Sequence, residues 1–326
     1  MPFRQPLVAP LPSTLDLTGQ TALVTGASAG LGLEICRQLL RRQIATLVMA
    51  VRNVTKGEEI KAKLLADNYR HHKTSATIEV IKLDTSSYSS VAQFTAEFLA
   101  RHARLDILML NAGIGTFKRE VTIDGHESAL QVNYLSNVAL FFDLLSLLEA
   151  TATKSGKPSR VSITGSRAYN TSGITKADFV TSQSILGYLD SPESFNLVQQ
   201  YANSKLLVAL FVREVAERYA SDKVIINNFC PGMLDTGMSD VLPVYLRVVA
   251  NAVKALRARS AETGASIALH AACVATEETH GKFLADKAIY SGDTYIQSAR
   301  GDELRRILWT ETMEEVAKHT ALPTWA

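Results

Sequence analysis

The chain has 326 residues, 47% of them hydrophobic, and 34 basic against 32 acidic side chains give a formal charge of +2. This length allows one large domain or two, and the balanced charge argues against a nucleic-acid-binding surface. The three cysteines are far apart in apolar stretches and the seven histidines form no metal-ligand pattern. We therefore predict a reduced, cytoplasmic protein with no disulfide framework and no metal site.

The chain also lacks a segment that predicts membrane insertion. Its longest apolar stretch, around residues 138–148, contains Asp143 and is shorter than the ~20 residues that span a bilayer. We predict no transmembrane segment.

Short β-branched or apolar runs alternate along the chain with longer segments whose apolar residues recur three or four positions apart. The predicted strands cover residues 21–25, 46–51, 77–82, 107–111, 160–164 and 224–229. The predicted helices cover residues 30–41, 56–67, 89–102, 125–148 and 201–219. This alternation predicts an α/β fold, a Rossmann-type doubly wound parallel sheet.

The domain organisation follows from the absence of repeats and linkers. Residues 1–18, with four prolines, are predicted to form an extended arm, residues 19–300 a single domain, and residues 301–326 a helical extension. Two insertions follow strand ends, where ligands bind in such sheets. One is the polar stretch 167–200, either a functional flap or partly disordered; the other is a substrate lid at about 234–261, with a predicted helix at 244–257.

A glycine-rich turn between the first strand and the first helix is typical of dinucleotide binding. Residues 21–32 read Thr-Ala-Leu-Val-Thr-Gly-Ala-Ser-Ala-Gly-Leu-Gly, with the key glycines at Gly26, Gly30 and Gly32. Such a turn brings backbone N–H groups and the positive end of a helix to a pyrophosphate. A tight strand-to-helix turn would, however, need glycine in any protein.

The cofactor type is indicated by the end of the second strand. Rossmann folds that bind NAD place an acidic residue there, which accepts hydrogen bonds from the ribose 2′-hydroxyl. This chain has Arg52, whose guanidinium pairs instead with a 2′-phosphate, so we predict NADP(H). Asp84 after the third strand is a candidate acceptor for the adenine amino group, with a helix N-cap as the alternative.

Tyr201 and Lys205 are four residues apart and so share one face of the predicted helix. A nearby cation favours the phenolate and lowers the pKa of a tyrosine from about 10, which makes it a usable acid and base. Taken alone, the pair is also common on helix surfaces. Whether the pair indicates a catalytic site therefore depends on the other motifs in the chain.

Those motifs follow one another in the order typical of short-chain dehydrogenases/reductases, which the chain resembles over roughly residues 18–315. They are Thr-Gly-x-x-x-Gly-x-Gly at 25–32, Asn-Ala-Gly at 111–113, Asn133, Ser166, Tyr201-x-x-x-Lys205 and Pro231-Gly232. Residues 50–57, 201–207, 281–283 and 308–309 look most like the retinol-dehydrogenase-like branch, including reductases of fungal secondary metabolism.

The resemblance implies a role for each matching position. Tyr201 would protonate the carbonyl oxygen, Ser166 would hydrogen-bond it, and Lys205 would hold the nicotinamide ribose. Asn133 would anchor a water that links Lys205 to solvent, and Pro231, Gly232 and Thr236 would close around the carboxamide side of the nicotinamide. Thr164 is the alternative to Ser166. The implied cofactor-binding set is Gly26, Ser28, Gly30, Leu31, Gly32, Arg52, Asp84, Asn111, Ala112, Gly113, Tyr201, Lys205, Pro231, Gly232 and Thr236.

The expected substrate is a mostly apolar carbonyl compound or secondary alcohol, because the lid segment is rich in apolar residues, although packing on the sheet would need the same residues. The cofactor preference favours reduction. The rival hypotheses are an epimerase or a cyclase on the same fold, and a non-catalytic dinucleotide sensor. The oligomeric state is left open, with a homodimer among the alternatives.

Overall fold

The computed structural model describes residues 5–71, 76–116, 118–175, 184–234, 258–292 and 295–326. The predicted helix at 244–257 and the cofactor candidate Thr236 lie outside these residues. The sheet strands are β1 Thr21–Thr25, β2 Thr46–Val51, β3 Thr77–Lys82, β4 Ile107–Leu110, β5 Ser159–Thr164, β6 Val224–Cys230, β7 Phe283–Ala285 and β8 Ala288–Ile289.

The helices alternate with these strands. They are α1 Gly30–Arg41, α2 Val54–His71, α3 Tyr88–Arg101, α4 Ser128–Leu130, α5 Ser136–Ser155, α6 Ile185–Asp190, α7 Leu197–Arg218, α8 Ala261–Leu269 and α9 Ala299–Val316. A π-helical turn, Gln131–Leu135, joins α4 to α5, so the helix predicted at 125–148 begins and ends later than expected. Short 3₁₀ turns lie at Arg167–Thr171, Gly173–Thr175, Pro192–Ser194 and Glu277–Thr279.

The sheet has the strand order β3-β2-β1-β4-β5-β6-β7-β8. All neighbouring strands are parallel except β7 and β8, which form an antiparallel hairpin that the sequence patterns did not predict. The chain reverses its winding direction between β1 and β4, and the carboxyl ends of strands at such a point form the usual ligand crevice. The predicted doubly wound Rossmann-type fold is confirmed.

Two hydrophobic clusters cover the two faces of the sheet. One contains buried residues of α3, α5, α7 and α9, and the other contains buried residues of α1, α2 and α8. Because both faces are covered, the inner strands β1, β4 and β6 are buried along their whole length and do not alternate between buried and exposed residues. Ser128–Ser155 is long and apolar enough to span a membrane by composition, but 72% of its most apolar window is buried inside the protein, as in a core helix.

The described parts of the 167–200 insertion pack as short helices. Glu311 of α9 accepts hydrogen bonds from the backbone N–H groups of Ile185 and Leu186, at 3.0 and 2.9 Å, which holds the start of α6. Asn203 of α7 accepts a 2.7 Å hydrogen bond from the Ser172 hydroxyl. The insertion is therefore attached to both α7 and α9 through residues 172 and 185–186.

Residues 5–17 lie against the domain without regular secondary structure. The Leu17 N–H donates to the Arg42 carbonyl at 2.8 Å, and the Arg42 guanidinium donates to the Pro12 carbonyl at 3.1 Å. Leu11 and Leu17 are buried. These contacts fix the segment to the surface of the sheet domain.

Candidate active site

The glycine turn between β1 and α1 is closely packed. Gly26 has a φ of +68°, which favours glycine, and its N–H donates to the Ala50 carbonyl at the end of β2. A Cβ on Gly32 would lie 2.3 Å from the Gly26 oxygen. The N-cap residue Ala29 provides no side-chain hydrogen bond, so the first N–H groups of α1 are open to a ligand.

The other loop candidates differ in exposure. Gly30 has a φ of +51° and is exposed, and Ser28 is partly buried. The Leu31 side chain is buried in the core beside α8, so only the backbone of this residue can serve the turn.

A hydroxyl that the sequence analysis did not single out fixes the neighbouring loop. Thr25 Oγ1 accepts hydrogen bonds from the N–H groups of Asn111 and Ala112, both at 2.9 Å. Asn111 Nδ2 donates back to the Thr25 carbonyl at 3.0 Å. A threonine at the carboxyl end of a buried central strand was the available signal. Thr25 holds the Asn111–Gly113 loop against the glycine turn.

Arg52 and Asp84 follow the adjacent strands β2 and β3. Arg52 is exposed and forms no ion pair with the described part of the chain. Asp84 Oδ1 accepts hydrogen bonds from the Ser86 N–H and hydroxyl, at 3.0 and 2.6 Å. The N-cap of α3 is Ser87, the last residue of the Asp-Thr-Ser-Ser segment at 84–87, so this segment caps the helix, although Asp84 itself is not the capping residue. Both candidates lie at the sheet edge beside the glycine turn.

Ser166 and Tyr201 meet at the carboxyl end of β5. Burial raises the pKa of Tyr201 to about 12, and a hydrogen bond with the Ser166 hydroxyl acts in the opposite direction. The sequence analysis expected a pKa below the ordinary value of about 10, but desolvation outweighs the hydrogen bond that favours the phenolate, and the pKa is higher instead. Thr164, the alternative to Ser166, directs its hydroxyl to Asn111 Oδ1 at 3.3 Å.

Lys205 is almost fully buried, with 3% of its surface exposed. Its Nζ lies 5.6 Å from the centre of the Tyr201 ring and donates a 2.8 Å hydrogen bond to the Thr164 carbonyl. Burial lowers the pKa of this ammonium to about 8. A lysine with this pKa can exchange a proton near neutral pH.

Asn133 lies in the π-helical turn and is fully buried. Its Oδ1 accepts from the Ile114 N–H at 2.7 Å, and its Nδ2 donates to the Ile114 carbonyl and to the Ser204 hydroxyl, both at 2.9 Å. A Cβ on Gly113 would lie 3.1 Å from Asn133 Oδ1 and 3.5 Å from Lys205 Nζ. Asn133 thus links Ile114, the residue that follows the Asn111–Gly113 loop, to Ser204 of α7.

Pro231 and Gly232 follow β6, and Gly232 has a φ of +85°. The side-chain amide of Gln5 pairs with both the N–H and the carbonyl of Met233, each at 3.0 Å. Leu234 and Arg259 form a short parallel bridge. Of the apolar lid residues, the described ones are the half-exposed Met233 and the partly buried Leu234.

The described residues contain no group of three or more His, Cys, Asp or Glu side chains placed to hold a metal ion. Within the described residues, the structure brings Ser166, Tyr201, Lys205, Asn133 and the Asn111–Gly113 loop together at one edge of the sheet.

Comparisons with known proteins are consistent with this geometry. Residues 20–182 match the profile of the short chain dehydrogenase family. The short-chain dehydrogenase/reductase tropG of Talaromyces stipitatus and the short chain dehydrogenase yanD of Aspergillus niger are each 46% identical, over 98% of both chains. The Pseudomonas aeruginosa protein RhlG, solved with NADP, superposes with a TM-score of 0.64 at 23% identity, covering 84% of this chain and 97% of RhlG.

Proposed function

Because the chain belongs to the short chain dehydrogenase family, we propose that it is an NADPH-dependent reductase acting on the carbonyl group of a mostly apolar small molecule. The grouping of Ser166 and Tyr201 with a buried Lys205 is the observation that carries this proposal. Within it, residues 19–300 form the catalytic domain of a cytoplasmic enzyme, with an arm at 1–18 and an extension at 301–326.

The residues at the glycine turn fit a dinucleotide. The N–H groups that open α1 can bind a pyrophosphate, and side chains at Gly26 or Gly32 would fill the space against the neighbouring backbone. Arg52 is exposed and free of ion pairs to the described residues, so it can pair with a 2′-phosphate. When bound, NADPH supplies the hydride that reaches the carbonyl carbon.

The proton comes from this chain. With a pKa of about 12, Tyr201 is protonated at neutral pH and can give its phenolic proton to the carbonyl oxygen as the alcohol forms. Ser166 hydrogen-bonds the same oxygen as its negative charge develops. The Lys205 ammonium stabilises the resulting phenolate, and a water beside Asn133 returns the proton from solvent.

The cofactor half of the proposal is tested with Arg52→Ala. A charge-assisted hydrogen bond to a phosphate contributes about 1.5–3 kcal/mol, so the Kd for NADPH should rise about 10- to 150-fold while that for NADH stays unchanged. The matched control is Arg41→Ala, another exposed arginine at the far end of α1. Equal NADPH affinity in the Arg52 and Arg41 variants would contradict the assignment.

The catalytic half is tested with Tyr201→Phe and a panel of apolar ketones. We expect turnover to fall by about 10²–10⁴-fold, the usual contribution of a general acid, with NADPH affinity retained. A non-catalytic sensor would show no ketone-dependent NADPH oxidation in the wild type. Unchanged turnover in the phenylalanine variant would assign the proton to another group.

A further inference from the structure

The hairpin of β7 and β8 has a tip with an unusual backbone. Its two-residue turn is Asp286-Lys287, with φ values of +53° and +68°. Positive φ at both central residues is the geometry of a type I′ turn, which favours Asn, Asp and Gly. Lysine is strained there, so the turn keeps its shape through the contacts of its side chains.

The Asp286 carboxylate lies between two arginines. Its Oδ1 forms an ion pair with Arg259 Nη1 at 2.6 Å, and its Oδ2 lies 3.6 Å from Arg167 Nη1. The Arg259 side chain is 7% exposed, whereas Arg167 and Asp286 are 34% and 23% exposed. The carboxylate therefore neutralises a nearly buried guanidinium.

Both arginines adjoin the candidate active site. Arg167 follows Ser166 directly and begins the 3₁₀ turn behind it. The Arg259 N–H donates to the Met233 carbonyl at 2.8 Å, and a Cβ on Gly232 would lie 3.2 Å from Arg259 Cδ. One carboxylate thus holds the segment after the serine and the turn after β6.

The same cluster holds the N-terminal arm. Arg259 Nη2 donates to the Pro6 carbonyl at 2.5 Å, and Lys287 Nζ donates to the Ala9 carbonyl at 2.5 Å and to Ser266 Oγ at 2.7 Å. The hairpin tip is therefore a junction between the arm, α8 and the two active-site segments.

We propose that Asp286 is a positioning residue that fixes the Pro231–Gly232 turn, and with it the nicotinamide half of the bound cofactor. The inference rests on the proposed function, because it assigns a cofactor to the site. Asp286 is far along the sheet from Arg52, which lies after β2, so its effect should be confined to one half of the dinucleotide.

The test compares Asp286→Asn with the wild type for two ligands. Asparagine also tolerates positive φ, so the turn is kept while the charge is removed. Adenosine 2′,5′-bisphosphate contains the adenine and 2′-phosphate but no nicotinamide. We expect the Kd for NADPH to rise about tenfold and the Kd for the bisphosphate to stay within about twofold of the wild type.

Asp302→Asn is the matched control. Asp302 also lies between two arginines, 3.1 Å from Arg213 and 3.5 Å from Arg305, and is 33% exposed, but it belongs to α9. The inference would be overturned if Asp302→Asn lost as much NADPH affinity as Asp286→Asn. It would also be overturned if Asp286→Asn bound NADPH as tightly as the wild type, or if it bound NADPH and the bisphosphate more weakly by the same factor.

A second variant tests the inference in case Asp286→Asn does not fold. Arg167→Ala removes only the more exposed arginine and should raise the Kd for NADPH by about two- to threefold, again without changing that for the bisphosphate. An Arg167→Ala protein with wild-type affinity for NADPH would overturn the role of the Asp286–Arg167 contact. A wild type that binds neither ligand would instead contradict the proposed function.

Discussion

Replacing Asn133 with alanine tests whether one buried amide holds the cofactor loop. The side chain is fully buried and makes three hydrogen bonds of 2.7 to 2.9 Å, two of them to the backbone of Ile114. At about 1 kcal/mol each, their loss should lower the free energy of unfolding by roughly 3 kcal/mol. Ile114 follows Gly113, so the affinity for NADPH should also fall.

Asn227→Ala is a control of the same residue type, burial and number of bonds. Asn227 is 1% exposed, accepts from the Ser162 hydroxyl at 2.7 Å, and donates to the Ala271 carbonyl at 2.9 Å and to Thr279 Oγ1 at 3.3 Å. None of these partners belongs to the candidate site. We expect a similar loss of stability with NADPH affinity unchanged.

Urea denaturation measures the loss of stability, and NADPH fluorescence titration under folding conditions measures the affinity. We expect about a tenfold higher Kd for NADPH in Asn133→Ala. A loss of less than about 1 kcal/mol would refute the hydrogen-bond count. Equal effects of the two asparagine variants on NADPH binding would refute the link between Asn133 and the loop.

Three further predictions concern the lysine, the glycine turn and the C-terminal helix. Because burial lowers the pKa of Lys205 to about 8, the ammonium loses its proton as the pH rises through 8, and NADPH affinity should fall above pH 8 in the wild type but not in Lys205→Met. In Gly32→Ala the new Cβ would lie 2.3 Å from the Gly26 oxygen, so titration should detect no NADPH binding. Trp309→Ala removes a buried ring stacked on Phe211 and should lower the free energy of unfolding, measured by urea denaturation, by about 3–5 kcal/mol.

The fold was predictable because its first six strands are short apolar or β-branched runs, separated by longer segments with helical periodicity. The six predicted strands correspond to β1–β6, with ends that differ by one residue at most. The β7–β8 hairpin escaped prediction because its strands have three and two residues, too few to show a period. The 167–200 insertion has a polar composition that hid the buried Tyr169, Ile174 and Ile185.

The parts of the site that could be predicted are those where a motif requires a particular backbone conformation. The positive φ of Gly26 and Gly232 follows from such motifs. The high pKa of Tyr201 was not predictable, because it depends on burial, which spacing along a helix does not reveal. Nor did the sequence indicate that Asp286, distant along the chain, would lie beside the residue after Ser166.

The C-terminal helix α9 is the last part of the hydrophobic core to be synthesised. Leu304, Leu308, Trp309 and Val316 of α9 belong to the same hydrophobic cluster as Leu23 of β1. That face of the sheet is therefore incomplete until α9 has been translated, and the nascent chain exposes apolar surface for most of its synthesis. Ribosome-bound intermediates of this protein should accordingly be clients of chaperones that bind exposed apolar segments.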